Sequence, residues 1–128
     1  MPTTRKSAVA GQFYPGTKDR LLKILSALTE KVKKEEALGA MSPHAGYIYS
    51  GSVAGKVLSR LRERDLFVII GPNHTGRGEP FSVFPSGKWE TPLGTVDIDE
   101  EFANRIIAQS ELFKPDEAAH AQEHSVEV

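Results

Sequence analysis

The chain has 128 residues, 39% of them hydrophobic and 26% charged, and sixteen basic residues against seventeen acidic ones leave a net charge of −1. That is the make-up of one soluble globular domain with a real core, and it lacks the broad positive field that non-specific nucleic-acid binding requires. Cysteine is absent, which excludes disulfides, thiolate metal sites and thiol nucleophiles within this stretch. No apolar leader follows the basic start, and no run approaches the ~20 apolar residues of a spanning helix. The expectation is a cytoplasmic protein with no membrane and no nucleic-acid partner.

Residues 7–15, SAVAGQFYP, read as a short strand or an ordered arm. From Thr17 the period changes: Leu21, Leu25, Leu28 and Val32 recur at helical spacing, which predicts a helix over about 17–34. Thr17 is its expected N-cap, with Lys31, Lys33 and Lys34 near the negative end of the dipole. ALGAMS (37–42) reads as a short buried strand ending at Pro43. SGSVAGKVLSRLRER (50–64) reads as a helix whose Val53, Val57, Leu58 and Leu61 share a face, while Ala54 and Gly55 permit close packing.

LFVIIG (66–71) is the clearest strand pattern. Its five consecutive apolar residues imply burial on both faces and hence a parallel sheet under helices. Strand, helix and strand over 37–71 make one βαβ unit. Residues 72–95 carry Gly76, Gly78, Gly87 and Gly94 with Pro72, Pro80, Pro85 and Pro92, and read as a long functional loop containing a short strand at PFSVFP. Asp97 or Asp99 then caps a helix to about Gln109, with Phe102, Ile106 and Ile107 inward. The last residues, SVEV, open a further element.

Four histidines are available for chemistry: His44, His74, His120 and His124. His44 follows ALGAMS and His74 follows LFVIIG, each with a proline just before it and a glycine two positions after. Ligands gather beyond the carboxyl ends of parallel strands, so a βαβ unit would bring both to one sheet edge. A single histidine in a turn is ordinarily a surface or capping residue, but two in matched settings favour a shared site. Two imidazoles with one carboxylate make the facial triad of non-haem iron; with other third ligands they suit copper or zinc.

AAHAQEHSVEV places His120 and His124 on one face if it is helical, but lacks the adjacent glutamate of the HExxH zinc pattern. His120 reads as part of a solvated face. His124, beside Glu123, reads as a proton shuttle oriented by a carboxylate. Tyr47, Tyr49 and Trp89 either line a pocket or pack. GPNHTGRGEP lacks the spacing and lysine of a phosphate loop, and SGSVAG is not a nucleophile elbow.

AGQFYP, PHAGYIYSG, IIGPNHTG and EHSVEV occur in the order and spacing of the Memo family, which the chain resembles over nearly its whole length. The resemblance implies an α/β fold: a βαβ-containing mixed sheet flanked by helices, like that of class III extradiol dioxygenase catalytic subunits. Residues 1–128 would form the N-terminal portion of a single Memo-like domain. It implies His44 and His74 as metal ligands and His124 as a pocket histidine, either near the substrate or in the layer behind the ligands. Phe13, where many members have tryptophan, and Tyr49 would lie around the pocket mouth; Tyr47 and Glu123 complete the expected binding residues.

The family's third ligand position lies further along than this chain extends. The expectation is an incomplete domain whose half-sheet is covered by a missing C-terminal portion or another chain. Iron or copper is the expected cofactor, and an unknown small molecule or peptide the expected partner. The leading function is a metal-dependent, dioxygenase-like redox protein. The alternative is a non-catalytic protein that uses the same pocket for peptide binding or signalling through Tyr47, Tyr49 and Trp89, in keeping with eukaryotic relatives named for a role in cell motility. A structural half without autonomous activity is a third reading.

Overall fold

In the computed structural model, which describes residues 3–128, the elements run β1 (Thr4–Arg5), α1 (Lys18–Leu28), α2 (Tyr47–Ser59), β2 (Ser82–Val83), β3 (Lys88–Thr91), β4 (Gly94–Asp97), α3 (Glu100–Ile107) and β5 (Lys114–Pro115). The protein is mixed α/β and gathers into two compact units. One comprises residues 3–8 together with Ile70–Glu127; the other comprises Val9–Ile69 with Val128.

In the unit of Val9–Ile69, α1 packs on α2. Small residues make the approach possible. A Cβ on Gly51 would lie 2.7 Å from Leu28 Cδ1, and one on Gly55 would lie 2.1 Å from the Leu28 carbonyl oxygen. Only a residue without a Cβ lets the two backbones come this close. One turn further along α2, the buried Ser59 accepts the Glu30 amide at 2.8 Å, and Lys34 Nζ donates to the Ser59 carbonyl at 2.7 Å. Tyr14 and Leu21 are buried in the same unit.

These tertiary bonds move the helix ends away from the expected positions. α1 stops at Leu28 rather than about 34 because the Glu30 amide goes to Ser59 instead of continuing the helical ladder. Lys31, Lys33 and Lys34 therefore lie beyond the helix. Thr17 does occupy the N-cap position, although its side chain makes no capping bond. α2 begins at Tyr47, three residues earlier than the pattern predicts, where the Tyr47 amide donates to the Phe13 carbonyl at 2.7 Å. It ends at Ser59, and the Arg60 carbonyl accepts the Glu35 amide instead. Residues 7–15 form an ordered arm of turns, with Gln12 and Phe13 both donating to the Val9 carbonyl.

Residues 37–42 and 66–71 form no strand, so the βαβ unit expected over 37–71 is not present. No described strand pairs with either segment, and Leu38, Met41 and Ile70 are almost wholly exposed. Apolar, β-prone residues become a strand only when a neighbour takes up their N–H and C=O groups.

In the other unit, β1 runs parallel to β3, and β3 antiparallel to β4, as a mixed three-stranded sheet in the order β1-β3-β4. The short β2, expected at PFSVFP, runs parallel to β5. The β3–β4 hairpin lies in and just beyond the stretch read as loop. Gly94, at φ +139°, closes its turn, and Thr91 Oγ1 accepts the Leu93 amide and donates to the Gly94 carbonyl. α3 forms as expected, with Asp99 as its cap accepting the Phe102 amide at 2.9 Å. Ala103 is its buried residue, while Phe102, Ile106 and Ile107 are half-buried.

The centre of this unit mixes apolar and charged groups. Phe84, Ala103 and Ala119 are buried, and so are Arg5 and Glu123. Arg5 pairs with the carboxylate of Glu127 and donates to the carbonyls of His120 at 3.1 Å and Glu123 at 2.7 Å. Its guanidinium lies 4.4 Å above the Trp89 ring. A planar guanidinium suits this task because its donors form a fixed fork while its face stacks on an aromatic ring. The strand residue Arg5 thus holds the turns that carry the chain from His120 to Glu127.

Candidate metal centre

The turn carrying His74 follows Gly71, where a Cβ would fall 2.6 Å from Ser125 Oγ and 2.8 Å from Val126 Cγ1. Glycine there admits the C-terminal turn. Beyond it, Asn73 Oδ1 accepts from the Thr75 hydroxyl and the Gly76 amide, with Gly76 at φ +65°. This side-chain-closed turn fixes the backbone on either side of His74.

Four hydrogen bonds then assemble the His74 turn and the Glu123–Ser125 turn. Glu123 Oε2 accepts the His74 amide at 2.6 Å, and Glu123 Oε1 lies 2.8 Å from His74 Nδ1. The Ser125 amide donates to Glu123 Oε1 at 2.9 Å, and the Ser125 hydroxyl to the Pro72 carbonyl at 2.8 Å. Burial opposes ionisation of Glu123, but the hydrogen bonds from the His74 ring, from Ser125 and from the His74 amide outweigh it and lower the carboxyl to about 2.

His124 lies against His74, with ring centroids 4.5 Å apart and planes at 16°, and the two offer ring nitrogens within 4.8 Å of one another. His124 Nδ1 is 3.6 Å from Glu123 Oε1, beyond hydrogen-bond length. The hydrogen bonds of the carboxylate orient His74, while His124 keeps it at ion-pair distance. Adjacency in sequence did not reveal the His74 partner, because the Glu123 side chain turns back toward the Asn73–His74 peptide.

The sequence matches the family model for Memo-like proteins over residues 5–128. The chain belongs to the Memo family. It is 44% identical over 130 residues to a MEMO1 family protein of Pyrococcus furiosus, an alignment covering 97% of this chain and 44% of that relative. A MEMO1 family protein of Archaeoglobus fulgidus is 48% identical, with 97% and 46% covered. One from Aquifex aeolicus is 45% identical, with 97% and 47% covered. The chain spans about half the length of these relatives.

Of the residues expected to build the site of this Memo family member, His74, Glu123 and His124 lie together in one unit. His44, Phe13, Tyr47 and Tyr49 belong to the other. There, His44 is half-buried in the irregular segment before α2. The Phe13 carbonyl holds the first amide of that helix. Tyr47 packs on Tyr14 at 5.7 Å between centroids, and burial raises its pKa. Tyr49 is 83% exposed.

His120 does not share a helical face with His124, because residues 117–127 form turns. Nor is it on a solvated face. Its ring meets Phe84 and Trp89 edge-on at 5.5 and 6.0 Å. Its Nδ1 is 2.8 Å from the Asp116 carbonyl, and burial lowers its pKa. Trp89 is part of the same cluster under Arg5, so it packs rather than lining an open pocket.

Sequence reasoning missed Arg5, Ser125 and Glu127 as supports of the centre. Arg5 and Glu127 are 122 residues apart, and no local pattern marks such a pair. Ser125 was detectable only as the residue that follows Glu123 and His124 in the EHS motif.

Proposed function

We propose that this chain carries part of a metal-dependent, dioxygenase-like redox centre in which His44 and His74 hold iron or copper and His124 moves protons. The observation that carries the reading is the His74–His124 pair, built at the family's GPNH and EHS motifs and braced by a buried carboxylate. Imidazole nitrogen is a donor suited to iron and copper. His74 meets Glu123 through Nδ1, leaving Nε2 as its metal-facing nitrogen. In this reading the roles divide: His74 is the ligand, and His124, stacked on its face, receives or delivers a proton at the substrate. His44 enters as ligand through its PHAG motif, and the third ligand comes from outside these residues.

A bound iron or copper ion would supply Lewis acidity and a redox couple for oxygen chemistry. The chain's own residues do the rest. Glu123 braces His74, Arg5 holds the turns bearing Glu123 and His124, and Phe13 fixes the start of the helix that follows His44. Peptide binding through the aromatic residues is the weaker reading, because Trp89 and Tyr47 are engaged in packing and Tyr49 alone of the three is open.

The test is metal content after loading the purified full chain with Fe(II) or Cu(II) and removing excess ion. Wild type and His120→Ala are expected to retain metal, and His44→Ala and His74→Ala to lose it. A wild type that holds none, or retention by both of the last two variants, would refute the assignment.

A further inference from the structure

We propose that Glu123 is a positioning residue that selects the Nδ1–H tautomer of His74 and so presents Nε2 as its only lone-pair nitrogen. The proposal deepens, and rests on, the reading of His74 as a metal ligand. The geometry is a two-point grip. One carboxylate oxygen takes the His74 backbone N–H at 2.6 Å, and the other meets the ring Nδ1 of the same residue at 2.8 Å. The second oxygen also accepts the Ser125 amide at 2.9 Å. Backbone N–H groups can only donate, so both oxygens are committed as acceptors, and the ring nitrogen facing them is the one that bears the proton. Glu123 is 3% exposed, so water does not compete for it.

The grip fixes orientation as well as tautomer. Anchoring the amide and the ring of one residue to one carboxylate leaves the His74 plane little freedom about χ1 and χ2. The Ser125 hydroxyl bond to Pro72 closes the same arrangement from the other side. His124 stacks on the plane thus defined, at 16°. A carboxylate on the far nitrogen of a ligating histidine also raises its basicity, and losing such a partner typically lowers metal affinity 10–100-fold.

Long-range proton–nitrogen correlation spectra of the metal-free, histidine-labelled protein read the tautomer directly. In wild type, neutral His74 is expected to carry its proton on Nδ1. In folded Glu123→Ala, the proton is expected to move predominantly to Nε2, and Cu(II) affinity to fall 10–100-fold. A wild-type His74 protonated on Nε2 would overturn the proposal, and that measurement needs no variant to fold. A folded Glu123→Ala that keeps the Nδ1–H form would overturn it as well. Because the tautomer is read without metal, it stands or falls separately from metal binding: an Nδ1–H His74 in a chain that holds no ion would refute the metal assignment while leaving the positioning role intact.

Discussion

Each of the two units has its own dominant way of holding its backbone in place. Around Glu123 and Arg5, buried charges are satisfied by converging hydrogen bonds, and the turns of residues 117–127 have hardly any regular structure to hold them otherwise. Where α1 crosses α2 the approach depends on Gly51 and Gly55 having no side chain, and hydrogen bonds from Glu30 and Lys34 to Ser59 fasten the far end. The first kind of region tolerates irregular backbone but not the loss of a partner. The second does not tolerate an added carbon at its helix crossing. A site needing a histidine at a fixed angle belongs on the first kind, because hydrogen bonds are directional and packing is less so.

The largest effect expected from breaking this contrast is at Arg5. Arg5→Ala leaves Glu127 buried without its cation and frees two carbonyls, so denaturant unfolding is expected to show a loss of about 3–5 kcal/mol. Replacing both partners, as in Arg5→Met with Glu127→Leu, is expected to recover much of it, since an apolar pair has no charge to desolvate. Recovery equal to none would mean that the His120 and Glu123 carbonyl bonds dominate the clamp.

Next in size is the pH dependence of the same unit. The Glu123 carboxyl, at about 2 in the folded chain, lies below the ordinary value of 4.5. Its stabilisation is therefore complete above pH 4.5 and is lost as the pH falls toward 2, by roughly 3 kcal/mol in all. His120, whose pKa is lowered by burial, acts in the same sense below its ordinary value of 6.5. Unfolding measured from pH 7 to pH 2 should slope downward on acidification, and Glu123→Gln should flatten the part below pH 4.5. An unchanged slope in that variant would place the acid sensitivity elsewhere.

The helix pair supplies the third test. Gly55→Ala improves helix propensity by about 1 kcal/mol yet puts a carbon 2.1 Å from the Leu28 carbonyl oxygen. The clash is expected to win, with a net loss of about 1–3 kcal/mol by thermal or denaturant unfolding. Gly39→Ala, which meets nothing within 4 Å, should change stability by no more than about 0.5 kcal/mol and serves as the comparison. The smallest effect is at the α3 cap: Asp99→Ala removes the bond to the Phe102 amide and should cost about 1 kcal/mol.

Local features of the chain were legible where the deciding interactions are local. α3 and its Asp99 cap could be read because a cap and a helical period lie within one turn of each other. The β3–β4 hairpin, read only as loop, had its signal in the Pro92–Gly94 turn, whose glycine sits at φ +139°. That signal was outweighed by the density of glycine and proline around it. LFVIIG shows the reverse error. Its apolar run is the strongest β pattern in the chain, yet Phe67 to Ile70 are all more than half exposed and pair with no described strand. Pattern expresses what a segment can do once a partner is present, and the partner is a non-local matter.

The site divides in the same way. Sequence alone determined the family, through four motifs in order, and it marked His44, His74, Glu123 and His124 as the residues to follow. Only the tertiary structure decided that Glu123 grips His74 rather than the neighbouring His124, that His120 packs against Trp89 and Phe84, and that Arg5 anchors the turns that carry them. Motifs record which side chains are present and in what order. Which donor meets which acceptor across 49 or 118 residues depends on how the turns close, since a hydrogen bond is set by distance and angle in space and not by separation along the chain.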